Sequence, residues 1–274
     1  MMELPSYETL ELEFDRGVAT VWLNRGDKAN SMNAAMWREL QASFEWCDAT
    51  AQVRVVMLAA RGKHFCAGLD LAMFGDTSLM PDSSDPARAA EAFRRSVLAL
   101  QNNLSTIERC RKPVLACIHY TCIGGGIDMV TCADMRYCTE DAYFAIKEID
   151  IGMVADVGTL QRLPKLIGDG MVRELAYTGR RFDAAEALSL GLVNRVYADH
   201  SAMLEGVTQI AREIAGKSPL AIRGSKEMLL YSRDHNVADG LNYIATWNAA
   251  MLSAGDLHSA IAAGTTGDTV EFDD

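Results

Sequence analysis

Three consecutive glycines, Gly124 to Gly126, stand between an apolar run, Val114 to Ile118, and a short amphipathic run, Ile127 to Cys132. That order reads as strand, glycine turn, helix, and it constrains the chain more than any other stretch. With no side chains in the way, the backbone N–H groups of the turn are open to close approach by a ligand. A helix that starts there adds unpaired donors and the positive end of its dipole. Three carboxyls follow among mostly apolar neighbours: Asp128, Glu148 and Asp156. Donors for a developing negative charge, beside groups that move protons, point to carbanion chemistry next to a carbonyl.

The rest of the chain alternates strand and helix patterns. Thr9–Phe14 and Val18–Leu23 read as a hairpin around Asp15-Arg16-Gly17. Met36, Leu40 and Phe44 recur at four, which predicts a helix capped by Asn33. Val53–Ala60 reads as a buried strand, and a second glycine-containing turn, Arg61 to Leu71, follows it. Gly75–Pro86 is polar, a lid over a site or a surface loop, and leads into a long helix over 87–110 with Phe93, Val97, Leu100 and Leu104 on one face. Short strands are expected at Met135–Cys138, Tyr143–Ile146 and Leu192–Tyr197, with helices at Gly158–Ile167, Met171–Thr178 and Asp183–Leu190. Residues 1–199 thus read as an α/β core with crossovers, carrying the site. Residues 200–274 show only helix signals and read as a C-terminal helical region for oligomerisation, whose apolar faces, with Leu241, Ile244, Trp247 and Met251, are suited to pack on the core or on a neighbouring subunit. From Ala262 the tail is small and polar and is expected to fray.

Composition removes several classes of function. A net charge of −11 over 274 residues argues against a protein that coats nucleic acid or a membrane surface. No apolar run approaches the ~20 residues of a membrane span. The phosphate-loop pattern G-x-x-x-x-G-K-[ST] and the nucleophile elbow G-x-S-x-G are both missing from the sequence. Seven cysteines without a C-x-x-C pair read as buried thiols in a reducing compartment, and no His/Cys/Asp spacing argues for a metal. The acidic N-terminal stretch lacks a signal or transit pattern, and the final TVEFDD is not a peroxisomal address. The expectation is a cytoplasmic enzyme of bacterial type, not a mitochondrial or peroxisomal one.

The two glycine turns form a specific pair. Phe65 to Asp70 matches F-x-A-G-x-D, and Gly124 to Asp128 matches G-G-G-x-E/D. With these motifs the chain resembles the crotonase, or enoyl-CoA hydratase/isomerase, superfamily over nearly its whole length. The resemblance implies a spiral of repeated β-β-α units with a helical C-terminal region, assembled as a homotrimer or a hexamer of two trimers. It also implies an acyl-CoA thioester substrate, with coenzyme A entering as part of the substrate and no separate cofactor. Carried over by position, the oxyanion-hole donors are the N–H groups of Ala67 and Gly125. Substrate contacts fall on Lys28, Ala29, Cys66, Ala67, Gly68, Leu69, Asp70, Gly125 and Gly126.

The carboxyl triplet, with the segment KEIDIGMVADVGTLQRLP, is similar to the dienoyl-CoA isomerase branch. That likeness implies conversion of 3,5-dienoyl-CoA to 2,4-dienoyl-CoA in fatty-acid β-oxidation. Glu148 then takes a proton from C2, Asp156 returns one at C6, and Asp128 supports the site electrostatically. Each carboxyl also has a structural reading: Asp156 as N-cap of the helix near Gly158, Asp128 as a helix-dipole partner, Glu148 as an ion-pair partner of Lys147. The alternatives at the level of function are an enoyl-CoA hydratase or another enoyl-CoA isomerase on the same scaffold, and a non-catalytic acyl-CoA- or RNA-binding protein.

Overall fold

The computed structural model of the chain describes residues 2–75, 84–266 and 270–274. The loop expected at Gly75–Pro86 therefore lies mostly outside the described residues. The chain opens on an antiparallel hairpin, β1 (Leu10–Asp15) and β2 (Val18–Leu23), then α1 (Ala34–Ala49) and β3 (Val55–Ala60). Asn33 caps α1, its side chain accepting the Met36 N–H at 2.9 Å. After β3 come α2 (Pro86–Arg109), β4 (Val114–Ile118), β5 (Thr121–Ile123) and α3 (Gly125–Thr131). Then follow β6 (Met135–Thr139), β7 (Tyr143–Ala145), α4 (Thr159–Arg162), α5 (Asp169–Thr178), β8 (Phe182–Asp183), α6 (Ala184–Ser189) and β9 (Arg195–Tyr197). Four helices end the chain: α7 (His200–Ala215), α8 (Pro219–Asp234), α9 (Val237–Met251) and α10 (Ala254–Thr266).

The strands form two sheets, one ordered β1-β2-β3-β4-β6-β9 and a smaller one ordered β5-β7-β8. Successive turns of the chain place one strand in each. β4 enters the large sheet, β5 the small one, and α3 follows; β6 and β7 repeat the step. β3 begins the same move, because Cys66 bridges Cys122 alongside β5 before the chain enters α2. This is the spiral of β-β-α units, and it stacks the loops that follow β3, β5 and β7 next to one another.

β3 is apolar at every position because both of its faces are covered. Val56, Leu58 and Ala60 face a core shared with Met36, Leu40 and Phe44 of α1 and Ile127 of α3. Val55, Met57 and Ala59 face a second core closed by Met203, Val207 and Ala211 of α7. The division expected at 199/200 therefore runs through a core, since α7 packs on the sheet. Helices α8 and α9 pack on each other, and buried Lys226 ties α8 to the core through Asp134 at 2.7 Å.

Three local expectations differ from the structure. The helix expected over Gly158–Ile167 is α4 followed by a separate tight turn, Leu163–Lys165, where Pro164 lacks an N–H. The last strand shortens to β9. The tail does not fray at Ala262: α10 continues to Thr266, favoured by its alanines, and Asp274 lies against Arg223 at 2.5 Å and Lys112 at 3.8 Å.

Candidate active site

The stacked loops enclose a cavity of about 270 Å³. One wall is backbone. Gly124 stands between β5 and α3 at φ 52°, ψ −121°, a conformation open to glycine, and a Cβ there would sit 3.3 Å from Glu148 Oε1. The loop after β3 runs beside β5, with Cys66 N–H donating to the Thr121 carbonyl at 2.8 Å and Ile123 N–H to the Cys66 carbonyl at 3.1 Å. Gly68 turns at φ 89°, and its carbonyl accepts the Met32 N–H at 2.8 Å. Asp70 N–H in turn donates to the Met32 carbonyl at 3.1 Å. Leu69 N–H, between these two bonds, points away from Met32 and has no intramolecular acceptor among the described residues. Gly125 N–H, at the start of α3, likewise has none. The two lie on facing strands of backbone: a Cβ on Gly125 would be 3.8 Å from the Leu69 nitrogen, and one on Gly68 would be 3.6 Å from the Gly125 nitrogen.

Ala67 is different. Its N–H donates to the Ala29 carbonyl at 3.0 Å, so it is not the free donor expected there; the free N–H of this loop is that of Leu69, two residues on. Alternate N–H groups along an extended loop face opposite ways. At this loop the direction is set by residues 29–32, distant in sequence.

The carboxyls occupy the same cavity. Asp128 is fully buried in the first turn of α3; its Oδ1 accepts the Thr159 N–H at 2.7 Å and its Oδ2 has no partner. Burial, and then the Glu148 charge, raise its pKa to about 7. Glu148 opens a tight turn, Glu148–Ile151, and its buried Oε2 is also unpartnered. Its pKa is raised by burial and secondarily by Asp156, whose own is raised by burial. Asp128 does lie in the first turn of α3, as its helix-dipole reading has it, but the structural readings of Glu148 and Asp156 do not hold as posed. Lys147 pairs with Asp150 at 2.5 Å and not with Glu148. Asp156 caps no helix, since Gly158 is the N-cap of α4, and the Thr159 amide is taken by Asp128.

Of the residues expected to touch substrate, Ala67, Gly68, Leu69 and Gly125 line the cavity. The others stand outside it. Cys66 is buried behind the loop, its thiol pushed up to about 12 by burial. Gly126 is a packing glycine, where a Cβ would meet Cys66 Cβ at 3.1 Å. Asp70 pairs with Arg25 at 3.1 Å and receives the Ala72 N–H, which lowers its pKa. Ala29 holds Ala67 as described, and Lys28 is exposed. The far wall, Phe93, Val97 and Leu100 of α2, was legible as one helix face but not as part of a site. Its signal is Phe93, 41% exposed on a helix whose buried residues begin only at Leu104. His119 is a packed histidine, bonded to the Gly62 carbonyl at 3.0 Å and stacked on His200 at 4.1 Å. Among the described residues no group of three or more His, Cys, Asp or Glu is placed to hold a metal, and no helix is long and apolar enough to cross a membrane.

The sequence model of the enoyl-CoA hydratase/isomerase family matches residues 13–260. The human mitochondrial Delta(3,5)-Delta(2,4)-dienoyl-CoA isomerase is 47% identical over 262 residues, 95% of this chain and 80% of that protein. The peroxisomal Delta(3,5)-Delta(2,4)-dienoyl-CoA isomerase of Arabidopsis thaliana is 45% identical over 266 residues, 96% of each chain. Among solved structures, an enoyl-CoA hydratase from Bacillus anthracis superposes with a TM-score of 0.87 at 29% identity, over 97% of this chain and 99% of its own. The names of the first two overturn the expectation of a cytoplasmic enzyme and point to an organelle. An address of that kind is read by import machinery and leaves no trace in the core patterns from which the fold is read.

Proposed function

We infer that this chain, which belongs to the enoyl-CoA hydratase/isomerase family, shifts the double bonds of a 3,5-dienoyl-CoA thioester to give the 2,4-dienoyl ester in fatty-acid β-oxidation. The observation that carries the reading is the cavity itself: two unengaged N–H groups, Leu69 and Gly125, at one end of an apolar chamber that holds three carboxyls of raised pKa. In this reading the thioester oxygen sits between those N–H groups, where charge grows as C2 loses its proton. One such donor is worth roughly 3 kcal/mol of transition-state stabilisation. Glu148, ionised, takes the C2 proton, and the negative charge spreads along the conjugated chain to C6. Asp156, protonated, delivers its proton there. Glu148 is left neutral and Asp156 ionised, and proton exchange restores the pair. Asp128, a buried carboxyl of raised pKa, keeps the far side of Glu148 free of a second full charge. Coenzyme A enters as part of the substrate, and the chemistry calls on no other cofactor.

The test is an absorbance assay with 3,5-dienoyl-CoA, in which the product's double bonds become conjugated with the thioester. Growth of the conjugated chromophore is the expected result. No change with this substrate, together with hydration of a 2-enoyl-CoA, would transfer the chain to the hydratase reading. We also propose a homotrimer, or a hexamer of two trimers, with α8 and α9 at the interface. Leu229 and Leu241 are 73% and 64% exposed in the single chain. Sedimentation that finds only monomer at micromolar concentration would refute this.

A further inference from the structure

We propose that Gln101 is a positioning residue for the second proton transfer, acting on Asp156 through its backbone. The proposal rests on the reading of Asp156 as the acid that serves C6. α2 carries two stripes with different work. Phe93, Val97 and Leu100 face the substrate cavity. Gln101, Ser105 and Glu108, spaced four and three apart, share another face of the same helix and line a separate polar cavity of about 380 Å³. Val157 lies on both cavities, so the segment Asp156–Thr159 is the partition between them.

The polar stripe grips that partition. Gln101 Nε2 donates to the Asp156 carbonyl at 2.6 Å. Ser105 Oγ and Glu108 hold the Arg162 guanidinium at 2.9 and 3.2 Å, and Arg162 Nη1 fills the space where a Cβ on Gly158 would be, 2.0 Å away. From the other side Asp128 takes the Thr159 N–H. Among the described residues the Asp156 carboxyl meets no side-chain partner, only its own backbone N–H, so it is aimed by the backbone that these contacts fix. Of them, the Gln101 bond falls on Asp156 directly. Because Gln101 does not line the substrate cavity, it has no contact through which to act on C2.

The experiment measures C2 hydrogen exchange with deuterated water and 2,4-dienoyl product on one preparation, for wild type, Gln101→Met, Gln101→Lys and Asp156→Asn. Methionine keeps the length and loses the donor; lysine keeps a donor at similar reach. Gln101→Met is expected to raise the ratio of exchange to product about fivefold, the effect of one ordinary hydrogen bond. Gln101→Lys is expected to return the ratio toward wild type. Partial misfolding lowers both readouts together and leaves the ratio unmoved. A ratio in Gln101→Met equal to that of wild type, or one that lysine does not restore, overturns the proposal if Asp156→Asn has lost product. Product formation retained in Asp156→Asn instead removes the acid assignment on which the proposal rests.

Discussion

Asp128→Asn is expected to make the protein more stable at alkaline pH. The pKa of Asp128 is raised from 3.8 to about 7. Between those values the native protein keeps a proton that the unfolded chain has released, so stability falls as pH rises through the window and levels off above it. At about 1.4 kcal/mol per unit the loss reaches about 4 kcal/mol, a ceiling because Glu148 shares the charge. Asparagine keeps an oxygen to accept the Thr159 N–H, which Asp128 Oδ1 accepts at 2.7 Å. It also turns an amide N–H toward the place of the unpartnered Oδ2, where an ionised Glu148 attracts it. Urea unfolding from pH 4.5 to 8.5 should show a stability advantage for the variant of about 2–4 kcal/mol at pH 8 that shrinks toward pH 4. A difference that does not change with pH, or a wild type that gains on the variant as pH rises, would refute the reasoning.

Glu148→Gln should lower turnover by about 10²–10⁴-fold with binding of an unreactive acyl-CoA little changed, checked by steady-state rates beside calorimetry. Gly126→Ala puts a Cβ 3.1 Å from Cys66 Cβ and 3.2 Å from its carbonyl oxygen, and should cost about 1–3 kcal/mol in urea unfolding. It should also slow turnover, because α3 and the Leu69 loop are pushed apart. Lys226→Met takes the ion-pair partner at 2.7 Å from Asp134, which keeps only the Val114 N–H, and should destabilise by about 3 kcal/mol, with α8 becoming the first site of limited proteolysis.

The parts of this protein that were legible in the sequence are those decided locally. The glycine turn, the Asn33 cap and the buried β3 each depend on residues within a few positions. The parts that were not legible depend on chain segments that meet only in the fold. Whether Ala67 or Leu69 presents a free N–H is settled by the segment from Ala29 to Met32, which takes up the Ala67 N–H at 3.0 Å. The two stripes of α2 could be separated only once one was seen against the substrate cavity and the other against Asp156 and Arg162. The C-terminal tail is held by Arg54, Lys112 and Arg223, none of which is near it in sequence.

The carboxyls make the same point and sharpen what their variants can test. From the sequence, Asp156 stood two residues before a helix and was open to a capping role, which asparagine fills almost as well as aspartate. In the fold that amide goes to Asp128, 31 residues away, and Asp156 caps nothing. Asp156→Asn therefore keeps the backbone bonds of its segment, including the one from Gln101, and removes only an exchangeable carboxyl proton. Asp128→Asn also keeps its capping bond, so neither variant loses helix α4. If product formation falls in Asp156→Asn while C2 exchange continues, the loss reports the missing proton and not a displaced turn.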